Sequence, residues 1–254
     1  MKRNGKLIHV QLGYNTNTSS ATTAAEMVAS GTEDVGTFMK KIRAEKNTEK
    51  CIALQRLGLA LLSSPRARRG FVPENMSRAL NIVSNRKRTQ QFGPFLDHIQ
   101  YRGSEVVDEM NVQDVSLCLN ALSKLRVTNT EFLSKLQFRG VEVADVMTAQ
   151  DVSNCLSALS KMRDSNADFL SELQVRGVEV DHTMNAQNVS DCLNALSKLR
   201  DPNSEFVSKL QCRGVEVTYT MTAQGVRMCL HALRKLKITN SECIDRLQRR
   251  GISR

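Results

Sequence analysis

Gly103, Gly140, Gly177, Gly214 and Gly251 fall 37 residues apart, and Cys118, Cys155, Cys192 and Cys229 keep the same interval. The windows 147–183 and 184–220 share 24 identities in 37 positions. A fixed period of this length limits the fold more than any local motif does, because each repeat is one supersecondary unit that buries its apolar face against its neighbours. The product is a stacked array that offers an extended surface in place of a pocket. Function is therefore expected to lie in binding.

Within one unit the local signals are legible. Thr148 precedes Val152, Cys155, Leu156, Leu159 and Met162, whose spacing marks one face of an α-helix, helix A. Thr148 with Asp151 resembles a capping box, with Asp in the place of Glu or Gln. Asn166 is expected to cap a second, shorter helix B through Phe169, Leu170 and Leu173. That helix should close at Arg176-Gly177, with glycine supplying a left-handed terminus, and Val178-Glu179-Val180 should follow as a packed connector. The expectation is an all-α, right-handed α-solenoid of tandem 37-residue helix pairs, over 73–254, with units starting at 73, 110, 147, 184 and 221. In the first unit Pro73–Ser84 aligns on Ala149–Ser160 and Phe95–Gly103 on Phe169–Gly177, with two extra residues between. Ahead of the array, Val35, Phe38, Met39 and Ile42, then Cys51, Ile52, Leu54, Leu57, Leu59, Leu61 and Leu62, predict a basic helical cap over 34–72, stopped at Pro65. Residues 1–33, rich in Thr, Ser, Asn and Ala, read as a flexible leader.

Charge and composition bound the partners. The net charge of +10 points to a polyanion or a membrane surface. Residues 1–109 carry 17 Lys and Arg against 10 Asp and Glu, and residues 110–254 carry 19 against 16, so the array itself is only mildly basic. No apolar run approaches the roughly 18 residues of a membrane span. Aromatics are 4% and Trp is absent, which argues against a base-stacking platform. Cysteines in one column of packed helices stand about 8–10 Å apart, beyond the roughly 7 Å that a disulfide tolerates between Cα atoms. They are expected to be free, buried thiols in a reducing intracellular compartment. His9, His98, His182 and His231 occupy unrelated places, and neither a Cys-x-x-Cys pair nor a phosphate-cradling glycine loop occurs. No enzyme, cofactor or metal site is expected.

Two sets of repeating residues could carry binding. Lys124, Lys161, Lys198 and Lys235 form a column at the end of helix A, with Arg126, Arg163 and Arg200 two residues beyond, and Lys237 in the last unit. Arg102, Arg139, Arg176, Arg213 and Arg250 form another at the end of helix B. Either ladder could track a phosphate backbone or complement a helix dipole. Two helix-A columns vary while the framework stays fixed: Leu117, Asn154, Asp191, Met228, and Asn120, Ser157, Asn194, His231. Asn120, Asn154, Ser157, Asn194 and His231 are candidates to face bases. Leu117 and Met228 have no side-chain hydrogen bond to offer a base, and Asp191 would repel phosphate.

The run Ala149-Gln-Asp-Val-Ser-Asn-Cys-Leu-Ser-Ala-Leu-Ser-Lys-Met162 resembles helix A of octotricopeptide-type repeats and of the related 37-residue heptatricopeptide repeats. The Trp typical of that helix is Asn120, Ser157, Asn194 or His231 here. This resemblance implies sequence-selective RNA binding in a mitochondrion or plastid. The chain is also similar to 37-residue tandem repeats of unassigned function in intracellular bacterial pathogens, which implies an effector in bacterial or host cytoplasm. The leading expectation is a monomer binding single-stranded RNA, about five nucleotides at one base per repeat. The alternative is a scaffold for a protein partner.

Overall fold

A computed structural model describes residues 18–29, 31, 33–45, 48–86, 92–125, 130–162, 166–199, 202–239 and 241–252. Every regular element among them is helical, as expected. Helix α1 (Thr18–Ala29) lies where the sequence suggests a flexible leader, and it packs on α3 (Thr48–Ser63). The earlier part of the leader, 1–17, lies outside the described residues. Asp34 caps α2 (Val35–Ala44) by accepting from the Thr37 amide at 2.7 Å. Pro65 does more than stop α3. It opens the one-turn helix α4 (Pro65–Arg68), where its missing N–H leaves no bond unmade.

Helix pairs follow in the order A then B. The A helices are α5 (Pro73–Ser84), α7 (Val112–Leu125), α9 (Ala149–Met162), α11 (Ala186–Leu196) and α13 (Ala223–Lys235). The B helices are α6 (Gly93–Val106), α8 (Thr130–Glu142), α10 (Ala167–Val180), α12 (Ser204–Val217) and α14 (Glu242–Ile252). Each A helix packs on the next A helix, each B on the next B, and A on B within the unit. Two helical layers therefore enclose one continuous core. The pair α2 and α3 joins the same layers, α2 against α5 and α3 against α6, through a cluster of Phe38, Phe71, Phe92 and Phe95 with ring centroids 5.6–6.5 Å apart.

Helix α9 begins as the sequence suggests. The Asp151 amide donates to Thr148 Oγ1 at 3.3 Å and the Thr148 amide to Asp151 Oδ2 at 3.2 Å. The same N3 residues also bind the unit before. Ser77 Oγ donates to Asp114 at 2.6 Å, Ser116 Oγ to Asp151 at 3.1 Å, and Asn188 Nδ2 to Ser153 Oγ at 3.0 Å. One side chain thus caps its own helix and registers it against its neighbour. Gln137 and Gln174 do the equivalent in the B layer, accepting from the backbone amides of Asn166 and Asn203, each at 2.6 Å.

The end of helix B differs from expectation. Gly177 does not terminate α10, which runs on to Val180, so helix B of this unit is as long as helix A, 14 residues each. Val178-Glu179-Val180 is the last helical turn and not a connector; a 3-10 turn over 181–183 makes the link. Gly103, Gly140, Gly177, Gly214 and Gly251 have no left-handed backbone. They make room instead. A Cβ on Gly103 would stand 2.6 Å from Phe132, on Gly140 2.5 Å from Phe169, and on Gly177 2.3 Å from Phe206. Phe132, Phe169 and Phe206 are each fully buried, so the repeating Gly and the Phe of the next unit form one contact.

The cysteine column is free and buried, at Cys118, Cys155, Cys192 and Cys229. Burial pushes the thiol of Cys229 up to about 12 and that of Cys243 up to about 11, and raises Cys118, Cys155 and Cys192 as well. Two results are expected. Native protein at pH 8 should show fast alkylation at exposed Cys212 and protection at the five buried thiols, measured by peptide mapping. Thiol titration after unfolding without reductant should count all seven cysteines; a count of three would mean disulfides. The sign for stability follows. Because the folded thiols hold their protons to higher pH than the unfolded chain does, stability should fall as pH rises through 9.

Candidate nucleic-acid interface

The sequence columns fall on one face because of helical arithmetic. Positions i, i+4, i+7 and i+11 fall within an arc of about 60° around a helix of 3.6 residues per turn. In α7 these are Gln113, Leu117, Asn120 and Lys124; in α9, Gln150, Asn154, Ser157 and Lys161. Helix α11 with its following turn carries Gln187, Asp191, Asn194 and Lys198, and α13 carries Gln224, Met228, His231 and Lys235. The first and last rows are exposed. The middle rows are half-buried between neighbouring helices, except His231, which is exposed. The opposite face of each A helix holds Val115, Cys118, Leu119 and Leu122 or their equivalents, all buried except the partly buried Leu230 of the last unit. Leu156, expected in the core, is fully buried.

The two cationic columns prove different. In the B layer Arg139 Nε donates to the Met110 carbonyl at 2.9 Å, Arg176 to Met147 at 2.8 Å and Arg213 to Met184 at 2.7 Å. The same guanidinium groups pair with Glu142, Glu179 and Glu216 at 2.7, 2.7 and 2.5 Å. Arg102 follows suit with Phe71 and Glu105, and Arg250 reaches the Tyr219 carbonyl at 3.1 Å. This column fastens the end of helix B to the start of helix A in its own unit, and the charge of Arg102, Arg139, Arg176 and Arg213 is spent there. In the A layer Lys161, Lys198 and Lys235 are exposed and make no ion pair with a described residue. Lys124 donates to Asn85 Oδ1 at 2.9 Å, and its pKa is held down by partial burial and then by the charge of Lys161. Lys124 thus feels the charge of its neighbour in the row. Arg126, Arg163 and Arg200 lie outside the described residues.

Lys237, the last member of that outer column, sits in left-handed backbone with φ 61°. Its amide donates to the Arg234 carbonyl at 3.0 Å and the Ile238 amide to the Leu233 carbonyl at 2.9 Å, a Schellman end to α13. Glycine suits such a position best, and here a cation occupies it.

The cations concentrated in residues 40–88, ahead of and within the first repeat, are partly consumed by the fold. Arg68 pairs with Glu105 at 2.6 Å and stacks on Tyr101 at 5.1 Å, Arg86 donates to the carbonyls of Ile42 and Glu45, and Lys41 pairs with Glu33. Lys40, Arg43 and Arg66 remain exposed.

One column escaped the sequence reading. Tyr101, Phe138, Val175 and Cys212 recur every 37 residues on the outer face of helix B, and the first three are 59%, 65% and 47% exposed. Their spacing was the available signal, but apolar residues in a repeat are ordinarily read as core. Among the described residues no cluster of His, Cys, Asp and Glu is placed to hold a metal, and no helix is long and apolar enough to cross a membrane.

Fold and face together define a helical-repeat protein with a polar, lysine-edged layer. The family model described as RNA-editing substrate-binding complex 6 protein matches residues 87–241, and the chain belongs to that family. The kinship is with this family and does not single out octotricopeptide or heptatricopeptide repeats. No curated protein matches the chain.

Proposed function

We propose that the protein is a non-enzymatic α-solenoid, right-handed in its stacking, that binds single-stranded RNA along the helix-A layer. The observation that carries this reading is the contrast between the two cation columns: Arg139 and Arg176 are tied into the fold, while Lys161, Lys198 and Lys235 are exposed beside polar side chains and make no ion pair with a described residue. Phosphates spaced along that row would relieve the repulsion between Lys124 and Lys161. Asn120, Asn154, Ser157, Asn194 and His231 lie one to two turns away on the same stripe, where bases would reach. Kinship with an RNA-editing family supports RNA over the bacterial effector reading, and favours the mitochondrion over the cytoplasm as the place of action.

The test is the salt dependence of RNA binding. Changing Lys124, Lys161, Lys198 and Lys235 to Gln should weaken binding to all sequences alike. It should also flatten the slope of log affinity against log salt by about 0.7 for each lysine that meets a phosphate of a single strand. If this variant binds as the parent does, while Gln at Lys40, Arg43 and Arg66 abolishes binding, the array is not the RNA reader.

A second reading concerns the other layer. The exposed Tyr101, Phe138 and Val175 favour a protein partner docking on helix B, which leaves the helix-A face open for RNA.

A further inference from the structure

Hydrogen-bond direction on the helix-A face is set from inside the array. The backbone amide of Asn185 donates to Asn188 Oδ1 at 3.2 Å, which fixes the other end of that side chain as donor. Asn188 Nδ2 donates to Ser153 Oγ at 3.0 Å and to Gln150 Oε1 at 3.2 Å. Gln150 in turn presents its Nε2 to Asn154 Oδ1 at 3.0 Å. The oxygen of Asn154 is therefore engaged, and its Nδ2, with two N–H groups, has no partner among the described residues. One unit further, Gln187 Nε2 donates to Asp191 Oδ2 at 2.8 Å and holds that carboxylate in place, with Oδ1 engaged by none of the described residues. Neighbouring units thus offer opposite chemistry at the same position: a donor at Asn154 and a pure acceptor at Asp191. Leu117 and Met228, on either side, offer neither.

We propose that Asp191 is a guanine-selecting position of the RNA face, with Gln187 as its positioning residue. The inference rests on the RNA reading of the helix-A layer. Guanine alone among the four RNA bases carries two adjacent N–H donors on its Watson–Crick edge, N1–H and the N2 amino group. That fork matches the two oxygens of a carboxylate, as a guanidinium does. Each oxygen has a second lone pair, so Oδ2 serves the base and Gln187 together. Adenine and cytosine set a ring acceptor beside their single amino group, and uracil flanks its N–H with two carbonyls; each turns a lone pair towards the carboxylate. Asp191 repels phosphate, but Lys198 stands seven residues on, about 10 Å along the helix axis. A strand held by its phosphates at the lysine row meets Asp191 with a base edge.

The experiment uses fluorescein-labelled 15-nucleotide RNAs, a uridine tract carrying one central guanosine or one inosine, which keeps N1–H and lacks the amino group. The full chain should bind the guanosine strand about tenfold more tightly than the inosine strand, the scale of one good bidentate base contact. Asp191→Asn should make the two equal without changing the salt slope, and Gln187→Ala should narrow the difference. Equal binding of both strands by the parent, with the lysine variant still impaired, overturns the guanine assignment and leaves the RNA reading standing. Binding that ignores the lysine variant overturns both.

Discussion

Replacing Phe169 with Ala should lower the unfolding free energy by about 3–5 kcal/mol, the usual cost of removing a buried aromatic ring. Phe169 is fully buried and packs into the notch left by Gly140 of the preceding unit. A glycine backbone has no side chain to move into the vacated space, so the cavity will persist rather than collapse. The consequence extends beyond one unit. Repeat arrays are held by nearest-neighbour interfaces, and Phe169 belongs to the interface between the second and third helix-B members, α8 and α10 among the repeats. Urea unfolding followed by circular dichroism should therefore show a lower midpoint and a broadened transition as the two halves uncouple. A loss below about 1 kcal/mol would mean that the ring does not fill the interface.

Gly177→Ala should destabilise by about 1–2 kcal/mol net, although alanine is the better helix former. Within a helix the exchange gains up to about 1 kcal/mol from propensity. Here the new methyl would stand 2.3 Å from the ring of Phe206, which is fully buried and has nowhere to retreat. Overpacking of that kind typically costs about 1–3 kcal/mol and wins. The column supplies its own controls. In the last unit Cys243 stands where the other units have Phe, and a Cβ on Gly214 meets its Sγ at 3.0 Å. At Gly251 the nearest atom is 3.8 Å away, so Gly251→Ala should be neutral or stabilising. The sign of the effect should change along one repeating position. Uniform stabilisation by alanine would overturn the close-packing account.

The capping residues, the helix-A stripe and the free cysteine column were legible because each depends on spacing within a few turns of one helix. The lysine row was legible on the same ground, since 117, 120 and 124 share a face whatever lies beside them. The arginine column was not. Nothing local separates a solvated Arg176 from one whose Nε reaches the Met147 carbonyl 29 residues earlier. The donor character of Asn154 was equally hidden, because it descends through Gln150 from a backbone amide in the next unit.

The repeating glycine marks the division most clearly. Its period announced an array and its place after Arg suggested a helix end, by a rule that considers only the local backbone. The helix continues through it, because intrahelical bonds tolerate glycine and the bulk that needed the space belongs to the following unit. Sequence alone determined the period, the helical content and which side chains share a face, all consequences of backbone geometry over a few residues. Tertiary structure decided which of those faces close on one another and which charges they consume. Those outcomes depend on atoms 29 to 38 residues apart meeting at van der Waals and hydrogen-bond distance.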